Sequence, residues 1–295
     1  MRVKLRVPAT VANVGPGFDT AGVALQLWSY CEIQPSGSDL QLAFEGEGQE
    51  RFAGVARQMI ERALEKCGMA GQGLRLRFVN RIPAAKGLGA SAALRLAVLY
   101  GLRKLSGPVD IADVVSRVTE LEGHSDNAAA AAAGGFVVSA RTAQGVVWHR
   151  TEVPEELKFV VCLPDRETLT DDARKMLPDH VPLGDAVFNI QRASLLVAAF
   201  FSRDFELLRE ALQDRIHQRY RAPMVGPFDE VARAARDAGA LGVFIGGSGP
   251  ALVAVVATGN TDGIARAMEA TFQSAGIGAR TMILPPSNSG LEEIE

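Results

Sequence analysis

A glycine-rich segment between a strand and a helix places the strongest constraint on this chain. Residues 74–79 largely alternate apolar and charged side chains, which predicts a β-strand. Residues 94–105 form a long apolar run that predicts a mostly buried helix. The segment between them, residues 83–93, has two glycines, a lysine and a serine. Because glycines let backbone N–H groups approach a ligand and a helix start attracts anions, the segment favours phosphate binding, with a simple strand-to-helix turn as the alternative.

The composition is that of a globular protein large enough for two domains. The chain has 295 residues, of which 47% are hydrophobic and 22% charged. A net charge of −3 gives no basic surface for nucleic acid or an anionic membrane, so we expect neither partner. Cys31, Cys67 and Cys162 are too far apart for a zinc site or disulfide framework. The start lacks a signal-peptide pattern and no apolar run spans a membrane, which predicts a cytoplasmic protein.

Turn-forming residues divide the first half into elements. Pro8 is expected to end the opening strand, and residues 9–22 are expected to form a compact polar loop. Residues 23–27 and 30–34 predict two further strands. Six alanines at 128–133 predict a helix packed very closely on another element.

The second half begins after residues 151–156, whose charge and proline predict a domain boundary. Thr170 resembles an N-cap, and residues 205–213 predict a helix. The basic cluster at 215–221 is either a solvated face or an anion contact. Residues 246–250 predict a hairpin turn between two short strands, and a polar tail is expected after the last strand.

The glycine segment fits neither of the two best-known nucleotide motifs. Residues 87–92 match the loose dinucleotide pattern, and Asp110 follows at about the interval of a ribose contact. However, seven residues separate the strand from the first glycine, whereas the dinucleotide fold places it directly at the strand end. The Walker pattern is absent because Lys86 precedes the glycines. Phosphoryl binding of another class fits best, and the Ser91 hydroxyl is a suitable magnesium ligand.

Taken together, several segments resemble the GHMP kinases. Residues 83–93 are similar to the phosphate loop of that family, and residues 246–250 to its C-terminal glycine motif. Residues 7–19 and 122–127 resemble the homoserine kinases within it, as do residues 170–178 and the Tyr220-Arg221 pair. The resemblance implies an α+β protein with the two-domain GHMP kinase fold. Residues 1–153 would form an N-terminal ribosomal-S5-like domain with the nucleotide site, and residues 154–295 a C-terminal ferredoxin-like domain.

The resemblance also implies an activity. Members of the homoserine kinase branch transfer the ATP γ-phosphoryl group to the hydroxyl of L-homoserine, a step of threonine biosynthesis, with Mg²⁺ as cofactor. A homodimer is expected by the same analogy. Two alternatives remain open: a GHMP kinase that acts on another small alcohol, and a catalytically weak protein of this fold that senses a nucleotide or an amino acid.

Carried over by position, the resemblance assigns residues to each part of the site. Homoserine is a zwitterion, so its ammonium needs a carboxylate (Asp19 or Asp126) and its carboxylate needs arginines. We expect Asp126 to bind the substrate rather than abstract a proton. The ATP-binding residues would be Pro83, Lys86, Gly87, Leu88, Gly89, Ala90, Ser91, Ala92 and Ala93, and the metal ligands Ser91 and Glu120. The catalytic residues would be Asn13, Asp126 and Arg174, and the substrate-binding residues Asp19, His124, Asn127, Thr170 and Arg221.

The sequence departs from the family pattern at a few positions. Ala90 stands where the family has a serine, which removes one hydroxyl from the loop. Arg51 stands where an asparagine near the adenine is common, which puts the nucleotide contacts in doubt. The metal-binding carboxylate is either Glu120 or Glu122, because the alignment gap there has no firm position.

Overall fold

The computed structural model describes residues 1–37, 39–66, 72–257 and 259–295. Cys67 lies outside these residues, whereas Cys31 and Cys162 are buried free thiols. In the described part of the chain, no helix combines the length and the apolar character needed to cross a membrane.

The strands and helices alternate irregularly along the chain, as in an α+β protein. The strands are β1 Val3–Ala12, β2 Ala21–Pro35, β3 Leu40–Gly46, β4 Leu74–Asn80, β5 Phe136–Thr142, β6 Gly145–Thr151, β7 Lys158–Pro164, β8 Gly242–Ile245, β9 Leu252–Val256, β10 Ala279–Leu284 and β11 Glu292–Glu293. The helices are α1 Gln49–Lys66, α2 Ala90–Ser106, α3 Ile111–Glu122, α4 Asp126–Ala133, α5 Thr170–Lys175, α6 Leu183–Ser202, α7 Leu208–Ala211, α8 Gln218–Val225, α9 Phe228–Asp237 and α10 Thr261–Ser274.

The first sheet has the strand order β11-β1-β2-β4-β3, with the β5-β6 hairpin paired to the start of β2. Its pairs are antiparallel except for β3, which runs parallel to β4. Helices α2 and α4 pack on β1 and β2, and the first four alanines of α4, at 128–131, are fully buried. A Cβ atom at Gly22 would lie 2.8 Å from the Asp126 carbonyl oxygen. The close packing predicted for the alanine helix is therefore confirmed.

Two predictions about the first strands are wrong. Pro8 does not end β1: the strand continues to Ala12 after a bulge between Pro8 and Ala9. A bulge tolerates proline because the missing N–H falls where the ladder is already interrupted. The two strands expected at 23–27 and 30–34 are one strand, β2. As a result, the polar loop is shorter than predicted and begins directly after β1, at Asn13.

The second sheet has the order β10-β7-β9-β8 and is antiparallel throughout. Helices α9 and α10 cover one face and bury a cluster that includes Met268 and Phe272. The turn at 246–250 joins β8 to the adjacent β9, so the predicted hairpin is confirmed. With helices packed on two mostly antiparallel sheets, the predicted α+β class is confirmed as well.

Other expectations for the second half need correction. Thr170 is the first residue of α5 rather than its N-cap, which is Leu169 and makes no side-chain cap bond. The helix predicted at 205–213 is a short 3₁₀ turn, Phe205–Leu207, that leads into α7. The basic cluster is divided: Arg215 and Arg219 are exposed, whereas α8 turns Arg221 inward until only 2% of that residue is exposed.

The predicted polar tail returns to the first sheet. β11 pairs with β1, and the Ser287 backbone bonds to Ala24 and to Gly135. The Asn288 side chain exchanges two hydrogen bonds with the Val153 backbone. The last residues therefore contact the first sheet, while the boundary at residues 153 and 154 stays a prediction.

Candidate active site

A cavity of about 790 Å³ opens between the glycine segment, α1, the end of α3 and α5. Most of the residues that the sequence predicted for a site line it. They are Asn13, Asp19, Pro83, Gly87, Leu88, Gly89, Ala90, Ser91, Ala92, Glu120, His124, Asn127, Thr170, Arg174 and Arg221. The structure thus brings together segments that are as much as 208 positions apart along the chain, from residue 13 to residue 221.

The glycine segment is shaped by two close backbone approaches. Gly87 and Gly89 adopt left-handed conformations, with φ of 78° and 74°. A Cβ atom at Gly87 would lie 2.0 Å from the Gly246 carbonyl oxygen, and one at Gly89 would lie 2.1 Å from Thr10 Oγ1. Helix α2 starts directly afterwards, so N–H groups of its first turn lack intrahelical partners. This arrangement suits an anion at the cavity wall.

The C-terminal glycine turn ties the two sheets together at the cavity. The Gly247 amide donates to the Ala12 carbonyl over 2.9 Å. The Gly247 carbonyl accepts bonds from Asn13 Nδ2 at 2.8 Å and Arg221 Nη1 at 3.1 Å. Asn13 is itself left-handed, with φ of 58°, and its Oδ1 accepts the Asp19 amide at 2.8 Å. The turn therefore fixes both Asn13 and the loop that carries Asp19.

The far end of the cavity is lined by paired charges. Both guanidinium Nη atoms of Arg174 donate to the Asp19 carboxylate, at 3.0 and 2.9 Å. The guanidinium carbons of Arg174 and Arg221 lie 5.5 and 5.0 Å from the centre of the Phe18 ring. Burial lowers the pKa of Arg221 to about 10, which leaves it charged at neutral pH. These groups match the two charges of an amino-acid zwitterion.

His124 and Asp126 form a buried pair next to the start of α4. His124 Nδ1 lies 2.8 Å from Asp126 Oδ1, which also accepts the Asn127 amide at 2.8 Å. Burial alone would lower the pKa of His124, but the hydrogen bond to Asp126 and the surrounding carboxylates raise it above its ordinary value. Asp126 Oδ2 is buried and has no hydrogen-bond partner among the described residues. The Asn127 side chain accepts the Thr10 hydroxyl at 2.7 Å, linking this pair to the glycine segment.

Ser91, Arg95 and Glu122 form a polar cluster at the start of α2. Arg95 Nη1 bonds to both Ser91 Oγ and Glu122 Oε1. Burial raises the pKa of Glu122, while the positive charge of Arg95 opposes that shift. The second carboxylate oxygen of Glu122, Oε2, is buried and has no hydrogen-bond partner in the described part of the chain. Glu120 also lines the cavity, but its side chain is exposed.

The donor set fits magnesium. In the ranges that the structure describes, no group of three or more His, Cys, Asp or Glu side chains could enclose a metal. Magnesium needs no such group in a nucleotide site, because it keeps several waters and binds one or two protein oxygens plus phosphates. The Ser91 hydroxyl with one carboxylate, from Glu120 or Glu122, would supply those oxygens.

Three predicted site residues do not line the cavity. Ala93 is buried inside α2, and Asp126 is 1% exposed behind His124. The Lys86 ammonium donates to the carbonyl oxygens of Pro164 and Arg166 instead of facing the cavity. Burial lowers the pKa of this lysine.

Sequence reasoning missed three residues that shape the site. Arg95 lies four positions after Ser91 on α2, a spacing that places the two side chains on one helix face and was readable from the sequence. Thr10 and His217 had no such signal, because both act from distant segments. His217 is fully buried, its Nε2–H donates to the Gly15 carbonyl at 2.7 Å, and its ring stacks on Phe18. It therefore holds the loop that presents Asp19.

Comparison with known proteins decides the family. The model of the GHMP kinases N terminal domain matches residues 54–135, and that of the GHMP kinases C terminal matches residues 196–274. Homoserine kinase of Moorella thermoacetica is 41% identical over 97% of this chain and 98% of its own. The chain belongs to the GHMP kinase family. Another relative of this GHMP kinase, homoserine kinase of Carboxydothermus hydrogenoformans, is 36% identical over 96% of this chain and 94% of its own.

Solved structures agree with this membership. Homoserine kinase from Cytophaga hutchinsonii gives a TM-score of 0.88 at 30% identity, covering 99% of this chain and 97% of that chain. Lactococcus lactis galactokinase complexed with galactose gives 0.72 at 15% identity, covering 99% and 95%, and so shares the fold alone. The GHMP kinase fold and the resemblance to homoserine kinases, both predicted from the sequence, are confirmed.

Proposed function

We propose that this GHMP kinase transfers the γ-phosphoryl group of ATP to the hydroxyl of L-homoserine, giving O-phospho-L-homoserine. One observation carries the proposal: a single cavity has an anion cradle at one end and the Asp19–Arg174 pair at the other. A kinase for a zwitterionic alcohol needs both. The homoserine kinases that match nearly the whole chain support the same acceptor.

The nucleotide end is suited to a triphosphate by its backbone. Gly87 and Gly89 pack against Gly246 and Thr10 too closely for a Cβ atom, which fixes the path of the loop, and the adjacent start of α2 offers N–H donors. Ser91 lies one residue into that helix. Arg51 lines the cavity and lies 3.8 Å from Glu167, so its position still allows a contact with the nucleotide.

The acceptor end contains a carboxylate and two guanidinium groups, which are the partners that the ammonium and the carboxylate of homoserine need. Asp19 and Arg174 neutralise each other bidentately, and the buried Arg221 lies beside the same Phe18 ring. A bound homoserine would replace the Asp19–Arg174 ion pair with two ion pairs of its own. Its ammonium would bind Asp19, and its carboxylate would bind Arg174 and Arg221. His124, Asn127 and Thr170 line the same region.

Positioning explains the chemistry that these residues support. In the transfer, the homoserine hydroxyl oxygen bonds to the γ-phosphorus as the bond from that phosphorus to the bridging oxygen breaks. ADP leaves with the bridging oxygen, and the hydroxyl proton passes to a phosphoryl oxygen. The loose transition state of this reaction asks little bond-making chemistry of the protein. Asn13, held by Gly247, would orient the hydroxyl, and Asp126 would act through His124, which it holds and which lines the cavity. When bound, Mg²⁺ neutralises charge that develops on the phosphate oxygens.

The experiment that tests the proposal is ADP release by the purified protein with Mg-ATP and a panel of hydroxyl acceptors. We expect L-homoserine to stimulate ADP release, with little effect from mevalonate or galactose. No stimulation by L-homoserine would refute the proposed acceptor. Stimulation by another alcohol would instead favour a different GHMP kinase. Binding of nucleotide or amino acid without turnover would favour a sensor.

We also propose that two copies pair through α6 and that the enzyme acts in the cytoplasm in threonine biosynthesis. On α6, Leu183 and Ile190 are 80% and 65% exposed, and Val187 and Phe201 continue their stripe at 44% and 40%. These positions repeat at the spacing of a coiled-coil seam, which a second antiparallel copy of α6 would cover. Sedimentation should give a dimer mass, and a Leu183→Ser, Ile190→Ser double variant should give a monomer. A monomeric parent protein would refute the pairing.

A further inference from the structure

We propose that Arg95 is the phosphate-binding cation of the site and that Glu122 holds it in place. The inference rests on the proposed binding of ATP and adds a residue that the glycine motif does not include. It concerns a side chain of α2 that follows the loop, where a cation would lie beside phosphates bound at the start of the helix.

Arg95 has donors to spare. Its Nη1 bonds to Ser91 Oγ and Glu122 Oε1, whereas its Nε and Nη2 have no hydrogen-bond partner among the described residues. A guanidinium carries five N–H donors in a planar fork, so the unused edge matches two oxygens of a phosphate. The side chain lines the cavity and is 28% exposed, so it is accessible to a ligand.

The lysine of the loop does not compete for this role. Lys86 Nζ is held by the Pro164 and Arg166 carbonyls and does not line the cavity. Of the other cavity-lining arginines, Arg174 and Arg221 are at the acceptor end, next to Phe18. Among the described cavity-lining residues, Arg95 is the cation that contacts the loop serine.

Glu122 gives the arginine its fixed position. The carboxylate is 6% exposed, and one oxygen receives Arg95 while the other has no partner in the described residues. A buried carboxylate is costly to leave unpaired, so the pair persists when the site is empty. Held on this side by Glu122 and Ser91, the guanidinium does not have to be ordered again when a phosphate arrives. Glu122 is thus a positioning residue, and Glu120, which also lines the cavity, is the carboxylate left for magnesium.

The test measures the Kd of a series of ligands by calorimetry in the presence of a chelator, which removes any metal contribution. The ligands are adenosine, AMP, ADP and a non-hydrolysable ATP analogue. For Arg95→Met, we expect the Kd of ADP to rise about tenfold to hundredfold, as for a lost charged hydrogen bond, and the Kd of adenosine to stay unchanged. Arg95→Lys should recover part of the loss, because it keeps the charge without the fork.

Controls separate this role from folding and from the wider proposal. Lys104→Met, on the same helix but outside the cavity lining, should leave all four Kd values unchanged. Because Arg95→Met leaves Glu122 unpaired, the double variant Arg95→Met, Glu122→Gln removes that buried charge and should show the same phosphate-dependent loss. An unchanged ADP Kd in both Arg95 variants, or an equal loss for adenosine, would refute the role of Arg95 while leaving ATP binding intact. Failure of the wild type to bind any of the nucleotides would refute both proposals.

Discussion

The nucleotide end of the cavity is built mainly from backbone, whereas the acceptor end is built from charged side chains. At the first, Gly87 and Gly89 make contacts that exclude a Cβ atom. At the second, Asp19, Arg174 and His124 are held by one another and by their neighbours. The two ends therefore tolerate substitution differently. The nucleotide end depends on a few glycines, whereas the acceptor end depends on a network of side chains that can be changed one at a time.

The largest effect should come from the backbone end. For Gly87→Ala, we expect kcat/KM to fall by about a hundredfold or more, because the new Cβ would lie 2.0 Å from the Gly246 carbonyl oxygen and displace the loop. Left-handed strain adds about 1–2 kcal/mol to the cost of folding. Steady-state kinetics and urea unfolding measure the two effects. Gly184→Ala is the control, because no atom lies within 4 Å of its Cβ position. A normal rate for Gly87→Ala would contradict the assignment.

The acceptor end should respond in one kinetic constant. For Arg174→Ala, we expect the KM for L-homoserine to rise about tenfold to hundredfold, because a bidentate charged contact is lost, with the KM for ATP nearly unchanged. Lys175→Ala is the matched control, since this neighbouring side chain is exposed and, in the described part of the chain, pairs only with Asp172. Equal changes in both KM values would show that the two ends are not separable in this way.

A third variant tests the joint between the two ends. Thr10 contacts the glycine segment and donates to Asn127, so Thr10→Val should change both KM values by a few-fold. It should also lower the free energy of unfolding by about 1–3 kcal/mol, because the buried Asn127 oxygen loses its donor. Thr10→Ser keeps the hydroxyl and should behave like the wild type. A change confined to one substrate would place Thr10 in that end alone.

The smallest effect at neutral pH should come from His217, which supports the loop of the acceptor end. Burial lowers the pKa of this histidine below its ordinary value of 6.5, so the unfolded chain binds the proton more readily than the folded one. Its contribution to stability is complete above that value and is lost as the pH falls through it. Urea midpoints between pH 7 and 5 should therefore fall less steeply for His217→Gln than for the wild type. Equal slopes for His217→Gln and the wild type would contradict this account of the buried histidine.

The sequence predicted the backbone end better than the side-chain end, for a physical reason. A left-handed glycine beside a helix start is a local requirement, so residues 87–91 were recognisable in a short window. The Asp19–Arg174 pair joins positions 155 apart, and only the resemblance to homoserine kinases brought these residues together. The predictions for Pro8 and Thr170 were wrong. The rules that a proline ends a strand and that a threonine caps a helix describe isolated elements, and tertiary contacts overrode both.

Charge was the least predictable property. The basic cluster at 215–221 gave no local sign that Arg221 would be buried or that His217 would be neutral under a loop. Lys86 shows the reverse case. It stands in the phosphate loop, yet its ammonium bonds to two carbonyl groups at and just after the end of β7. Whether a cationic side chain can bind a ligand depends on whether backbone carbonyls already lie within its hydrogen-bond distance, and their positions depend on the whole fold.

The return of β11 to β1 has a consequence for synthesis of the protein. β1 is made first, yet its outer neighbour, Glu292–Glu293, is made almost 280 residues later. Until then, the Arg6 side chain lacks its Glu292 partner and that edge of the first sheet is open. An open edge strand can pair with other chains. A nascent chain therefore exposes this edge until residues 292 and 293 have been made.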